Sequence, residues 1–199
     1  MTIALTQSGT APAVRPVAPP QNSTDVALIE RIARGDQLAM RTLFARHQVS
    51  VFRFVTRLVG DQALAEDVVS EVFFDVWRQS GRFEGRSSVS TWLLSIARHK
   101  ALSACRRRPR EAELDDVAAE RLADPADTPD VHLQRKDESA TIGRCLAQLS
   151  PEHSEVIDLV YYHEKSVAEV AAVVGIPEAT VKTRMFYARK KLADLVQAA

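Results

Sequence analysis

The chain has 199 residues, 46% of them hydrophobic, enough for one or two small domains with packed cores. Seven glycines, nine prolines, 6% aromatics and apolar positions at helical spacing point to an all-helical protein. Two cysteines forty positions apart exclude a disulfide framework or a thiolate zinc site, no apolar run approaches a membrane span, and the zero net charge excludes a uniformly basic chain.

The zero conceals segregation. Residues 22–108 carry fourteen basic and nine acidic side chains, residues 109–138 carry four and ten, and residues 177–193 carry five and one. Two basic zones therefore flank an acidic connector, and a local basic face matters more for nucleic-acid binding than the sum.

Residues 1–21 are rich in Ala, Pro, Ser and Thr without period and read as a disordered tail. They lack the basic start and apolar core of a signal peptide, and both cysteines read as reduced thiols of a cytosolic protein. From Asp25, Leu28, Ile29 and Ile32 mark a first helix that Gly35 ends. Leu38, Leu43, Phe44, Val51, Phe54, Val55 and Leu58 mark a long second helix. Gly60 stops it and Asp61 caps the next. The third helix, residues 62–79, has apolar stripes at 64, 68, 72, 76 and 65, 69, 73, 77.

A polar loop with two glycines follows, then a fourth helix from Thr91 that ends in Arg106, Arg107 and Arg108 before Pro109. Residues 109–137 are acidic and contain prolines, and they read as a flexible linker. A second helical unit starts near Asp137. In it Ser150, Pro151 and Glu152 have the pattern of a helix start, and Ser166 with Glu169 has capping-box spacing.

The C-terminal segment has the helix-turn-helix layout: a short helix over residues 166–174, Gly175 at the turn, and a second helix opened by Pro177. Val170, Val173, Val174, Ile176, Val181, Met185, Ala188 and Leu192 can form its inner face. Glu178, Ala179, Lys182, Thr183, Phe186 and Arg189 then lie outward. Lys182 and Thr183 can donate to base edges and Phe186 can meet a thymine methyl, while Arg184, Arg189, Lys190 and Lys191 suit phosphates. Many regulators share this motif, so it does not fix the role of the whole chain.

The N-terminal half carries more specific features. Asp67, Glu71 and Asp75 repeat at i, i+4, i+8 beside Phe74 and Trp77, at a cost of about a few tenths of a kcal/mol per like-charge pair. Such a stripe fits docking on a basic protein surface or a plain solvated face. The segment at residues 83–108 combines Phe83, small polar residues and the cations Arg98, Lys100 and Arg106, a composition suited to single-stranded DNA. Trp92 is spaced as core, and Phe83 fits either core or base stacking.

The blocks "AEDVVSEVFFDVWR", "FEGRSSVSTWLLSIARHKALSACRRR" and "LSPEHSEVIDLVYYHEKSVAEVAAVVGIPEATVKTRMFYARKKL" together resemble a bacterial sigma factor of the extracytoplasmic-function group. The resemblance covers residues 25–108 and 138–197 and implies an all-α chain with two small domains, a four-helix region 2 and a helix-turn-helix region 4. It implies binding of core RNA polymerase, on the clamp helices of its largest subunit, through Asp67, Ser70, Glu71, Phe74, Asp75 and Trp77, with Ser70 standing where the family usually has Gln. Region 4 would also meet the flap. Phe83, Ser87, Ser88, Ser90, Thr91, Arg98, Lys100 and Arg106 would engage the −10 element and hold a flipped base. Lys182, Thr183 and Phe186 would read the −35 duplex, with Arg184, Arg189 and Lys190 on its backbone. The linker would thread the polymerase cleft, and an anti-sigma protein would hold the chain inactive.

No nucleophile set, phosphate loop or metal spacing appears, and no cofactor is expected. His47, His99, His132, His153 and His163 are scattered. The competing reading is a stand-alone helix-turn-helix regulator that dimerises through its N-terminal helices. A helical signalling enzyme or adaptor is the third.

Overall fold

The computed structural model describes residues 21–107, 145–146 and 148–197, and among them it contains helices and no strand. The tail at 1–20, Arg108, the linker at 109–137 and the expected start near Asp137 lie outside the described residues.

Local chemistry sets each boundary. Helix α1 spans Gln21–Ile32 and α2 spans Gln37–Val59. Asp36 joins them: its Oδ1 accepts from the Leu38 and Ala39 amides at 2.9 and 3.0 Å, and its Oδ2 accepts from Arg31 Nε at 2.8 Å. These donors, the Ala39 amide first, hold the Asp36 carboxyl below its ordinary value. Gly60 ends α2 in the left-handed region (φ 70°), and Asp61 caps α3, Gln62–Gln79, through the Leu64 amide at 2.9 Å. A 3-10 turn, Ser80–Arg82, precedes the loop to α4.

Helix α4 runs Val89–Arg107, two residues longer at its start than the apolar spacing suggests. The reason is Ser88, whose Oγ accepts from the Thr91 amide at 3.2 Å and so lets the helix begin ahead of Trp92. Likewise α1 begins before Asp25. Its Asp25 is buried and binds Arg46 and His47 of α2, each at 2.7 Å, fixing the first helix to the second.

The C-terminal bundle is α5 (Pro151–Tyr161), α6 (Val167–Val174) and α7 (Glu178–Gln197). Ser150 stands at the expected N-cap of α5 without a side-chain cap bond; its carbonyl accepts from His153 and Ser154 instead. Ser166 and Glu169 form the full capping box of α6. Gly175 (φ 74°) turns the chain into α7, whose first amides past the turn, Thr180 and Val181, donate to Pro177 O.

Helices α1–α4 enclose Ile29, Leu43, Phe54, Val55, Val72, Val76, Leu93 and Ala97. Helices α5–α7 enclose Val156, Leu159, Val170, Val181, Met185 and Ala188. The two bundles touch, α4 against α6 and α2 against α5, and most of their buried apolar residues form one continuous cluster.

Phe54 has no exposed surface and stands where the bundles meet. Phe54→Ala is expected to cost about 3–5 kcal/mol in urea unfolding. Asp61→Ala removes the cap bond to the Leu64 amide and is expected to cost about 1 kcal/mol by the same measurement.

Candidate nucleic-acid and polymerase interface

Helix α3 turns Ala65, Val68, Val69, Val72, Phe73 and Val76 inward, as its 3.6-residue period requires. That leaves Asp67, Ser70, Glu71, Phe74 and Trp77 exposed along one side, with Asp75 half-buried. Phe74 is 60% exposed, an apolar ring held in water with the Arg78 guanidinium 5.6 Å from its centroid. Trp77, grouped with an inward stripe by spacing, lies at that stripe's edge and stays exposed.

Lys100 of α4 reaches this stripe: its Nζ lies 2.8 Å from Asp75 and 3.3 Å from Glu71. The Asp75 hydrogen bond is the largest of the effects that raise the Lys100 pKa. Lys100, expected on DNA, thus neutralises part of the acidic face, and it lines a groove of about 510 Å³ between α3 and α4 with Trp92, Ile96 and His99.

Phe83 and Trp92 pack together, ring centroids 5.1 Å apart, each half-buried. Ser87 is half-buried, and Arg106 is exposed with its guanidinium on Ser103 Oγ at 3.2 Å. Ser88, Ser90, Thr91 and Arg98 are otherwise placed, because the C-terminal bundle covers them. Thr91 Oγ1 donates to Glu169 Oε1 at 2.7 Å and Ser88 Oγ donates to the same atom at 3.1 Å. Lys165 Nζ donates to Ser90 Oγ at 2.6 Å. Arg98 grips Glu155 with two bonds, Nε to Oε1 at 2.6 Å and NH2 to Oε2 at 3.3 Å.

The other oxygen of Glu169 accepts from the Ser166 amide and hydroxyl at 3.1 and 2.9 Å. Burial pushes the Glu169 carboxyl up, but the Thr91 hydroxyl, the Ser166 donors and Lys165 outweigh it and hold the group at about 2.

A second contact lies below the first. His163 enters the α2 side, with Nδ1 3.1 Å from Ser50 Oγ and its ring edge-on to Phe54 at 5.5 Å between centroids. Arg57 pairs with buried Asp158 and lies over the Tyr162 ring at 3.9 Å. Burial first, then Arg57, Lys165 and Arg53, pull the His163 imidazole down to about 4. Asp158 Oδ2 lies 3.4 Å from Nε2, and Oδ1 of the same carboxylate pairs with Arg57.

Residue sequence reading gave these contact residues little weight: Glu169 read as a helix cap and His163 as one scattered histidine. The available signal was Glu155 and Asp158, acids spaced i, i+3 beside the apolar Val156 and Leu159 of α5.

On α7 the expected reading face is open. Lys182, Thr183, Phe186, Arg189 and Lys190 are exposed, Phe186 by 63%, and Arg184 is half-buried. Thr183 Oγ1 donates to Ala179 O at 3.0 Å, which leaves its oxygen as an acceptor. Arg189 Nε donates to Tyr161 OH at 2.9 Å, so its approach to a phosphate starts from a tethered position. Among the described residues no group of His, Cys, Asp and Glu could hold a metal ion, and no helix is long and apolar enough to cross a membrane.

The described residues thus join a helix-turn-helix with an exposed basic second helix to a four-helix bundle that displays an acid–aromatic face. The comparisons place this arrangement in a family. Residues 43–111 match the sigma-70 region 2 family and residues 139–192 match sigma-70 region 4. The ECF RNA polymerase sigma factor SigL of Mycobacterium tuberculosis is 32% identical over 86% of this chain and 97% of that protein. The ECF RNA polymerase sigma-E factor of Escherichia coli is 32% identical over 87% and 95%. CnrH, solved in complex with the cytosolic domain of CnrY, is 26% identical over 87% of this chain and 97% of CnrH, with a TM-score of 0.62. The chain belongs to the sigma-70 family, in its extracytoplasmic-function group.

The His163 contact has a defined pH window. The folded imidazole sits at about 4 against 6.5 for a free histidine, so its contribution is complete above pH 6.5 and is lost as pH falls toward 4. The urea midpoint of the full chain is therefore expected to fall between pH 6.5 and 4, with a shallower fall in His163→Asn. Parallel pH profiles would refute the assignment.

Proposed function

We propose that this chain is an alternative sigma factor that binds core RNA polymerase and directs promoter-specific initiation, with no catalytic chemistry of its own, in the cytoplasm. The observation that carries the reading is the pairing of two unlike surfaces on one chain: the exposed face of α3 and the exposed face of α7. A dimerising regulator needs the second and has no use for the first.

In this reading residues 22–108 form region 2 and residues 138–197 form region 4, with the acidic stretch at 109–137 in the polymerase cleft. Asp67, Ser70, Glu71, Phe74, Asp75 and Trp77 meet the clamp helices of the largest subunit, and region 4 meets the flap. The loop and helix from Phe83 to Arg106 capture the −10 element as it opens. Lys182, Thr183 and Phe186 read −35 base edges, and Arg184, Arg189 and Lys190 hold its phosphates. An anti-sigma protein is the inhibitory partner. Support comes from the family resemblance and from CnrH, which was solved with a second protein bound.

Purified chain added to sigma-free core polymerase on a pool of host promoter fragments is expected to give discrete start sites. Asp67→Lys with Glu71→Lys should abolish them while the chain remains folded. Retained initiation would remove α3 from the polymerase contact. Lys182→Ala should weaken binding to the cognate −35 duplex more than to unrelated duplexes, by about 1–3 kcal/mol of discrimination if it reads a base. An equal loss on all sequences would make Lys182 a phosphate contact.

A further inference from the structure

Region 4 presents two carboxylates to region 2, and both lie on side chains that the −10 assignment needs. Glu169 Oε1 takes the hydroxyl donors of Ser88 and Thr91, and Glu155 takes the Arg98 guanidinium in a forked pair. Thr91 keeps 1% of its surface and the Glu155 carboxylate is buried, and Ser88 and Arg98 are half-buried, so a strand cannot engage these donors without displacing the carboxylates. Hydroxyls and a guanidinium in that arrangement are what a nucleic-acid backbone or an unstacked base would use, and a carboxylate offers the same acceptor oxygens with the same charge.

We propose that Glu155 and Glu169 act as a built-in stand-in for the −10 strand, latching region 4 over region 2 so that the free chain is closed to single-stranded −10 DNA while its −35 face stays open.

This rests on the −10 role of residues 83–106. The asymmetry follows from the faces already described: Lys182, Thr183 and Phe186 are exposed in the same closed arrangement that covers Ser88, Thr91 and Arg98. Lys165 adds a third tie, to Ser90, and His163 plugs the α2 side, so the latch closes on two adjoining helices of region 2. The turn that aims His163 and Lys165 is itself held in an unusual conformation, with Glu164 at φ 52°, a left-handed position that non-glycine residues adopt at a cost. Glu169 belongs to the capping box of α6, so the latch point is fixed to the start of the helix-turn-helix. Opening therefore moves the reading helix and frees the −10 donors in one step.

The test uses the full chain with Cys105→Ser and Cys145→Ala, dye-labelled at Ala63→Cys and Ala193→Cys on the two domains. Energy transfer reports closure. Anisotropy reports binding of the non-template strand spanning the −10 element of a promoter mapped with this protein, and of a scrambled strand of equal length. Glu155→Gln with Glu169→Gln keeps side-chain size, and Gln also completes a capping box. Expected are reduced energy transfer and −10 strand affinity higher by about tenfold, because the competent fraction rises, with a smaller gain on the scrambled strand and none on −35 duplex. If the double variant does not fold, as circular dichroism would show, Glu169→Gln alone carries the same expectation at smaller size. Wild-type transfer and wild-type strand affinity in the folded variant would overturn the latch. Reduced transfer with unchanged strand affinity would instead remove the −10 assignment, and with it the stand-in role. Adding Arg98→Ala to the open variant separates the two, since it should cancel the gain only if Arg98 holds the strand.

Discussion

The Glu169 carboxylate is the constraint around which the closed chain is organised. One oxygen completes the capping box that starts α6, and the other receives Ser88 and Thr91 from the far bundle. A carboxylate drawn partly out of water loses hydration and is stable only when several donors replace it. Here they come from both domains, and the low pKa of the group, about 2, records that the donors prevail over burial. Ser88 in turn caps α4, so two helix starts from different domains share one small polar cluster. The register of α4 against α6 follows from that cluster, and the positions of Arg98 on Glu155 and of His163 over Phe54 follow from the register.

The zero net charge acquires a structural meaning in this arrangement. The basic excess of residues 22–108 is not simply offset by distant acids. Part of it is matched side chain to side chain, Arg98 by Glu155 and Arg57 by Asp158, across the domain boundary. Lys100 is matched within its own domain by Glu71 and Asp75. The cations of α7 that point outward include Lys182 and Lys190, which stay exposed. Charge is thus cancelled where the chain folds on itself and left uncancelled on the outward face of α7, the face proposed to meet duplex DNA. Buried ion pairs of this kind contribute less to net stability than to the choice of one arrangement over others, since much of their attraction offsets desolvation.

Much of this was legible in the sequence. Period and caps gave the helices: Gly60 with Asp61, Ser166 with Glu169, and Gly175 all sit where the pattern put them, because local backbone chemistry determines them. The outward faces of α3 and α7 were legible for the same reason, since a helix with one apolar stripe has one way to bury it. The start of α4 was set two residues late because Ser88 caps through a loop whose apolar spacing carries no signal. The contact between the domains left no more trace in the sequence than two acids, Glu155 and Asp158, set beside apolar positions of α5. It depends on Glu155, Asp158, His163 and Lys165, residues whose types alone fit a solvated surface, and on partners more than fifty positions away in sequence. Short-range pattern has no access to a pairing of that separation.

That separation also explains how contacts so polar can hold two domains together. The two domains belong to one chain, and covalent connection keeps one at an effective concentration of about a millimolar near the other. At that concentration an interaction worth about 4 kcal/mol in isolation suffices for equal populations of open and closed forms, and a few charge-assisted bonds beyond it favour the closed one. A latch built from hydroxyls and carboxylates can then be undone by a competitor offering the same chemistry at higher multiplicity. An apolar seam of the same area would resist such exchange, because DNA has nothing comparable to offer it. The polar character of the seam thus serves a chain that must hold itself closed in one setting and open in another.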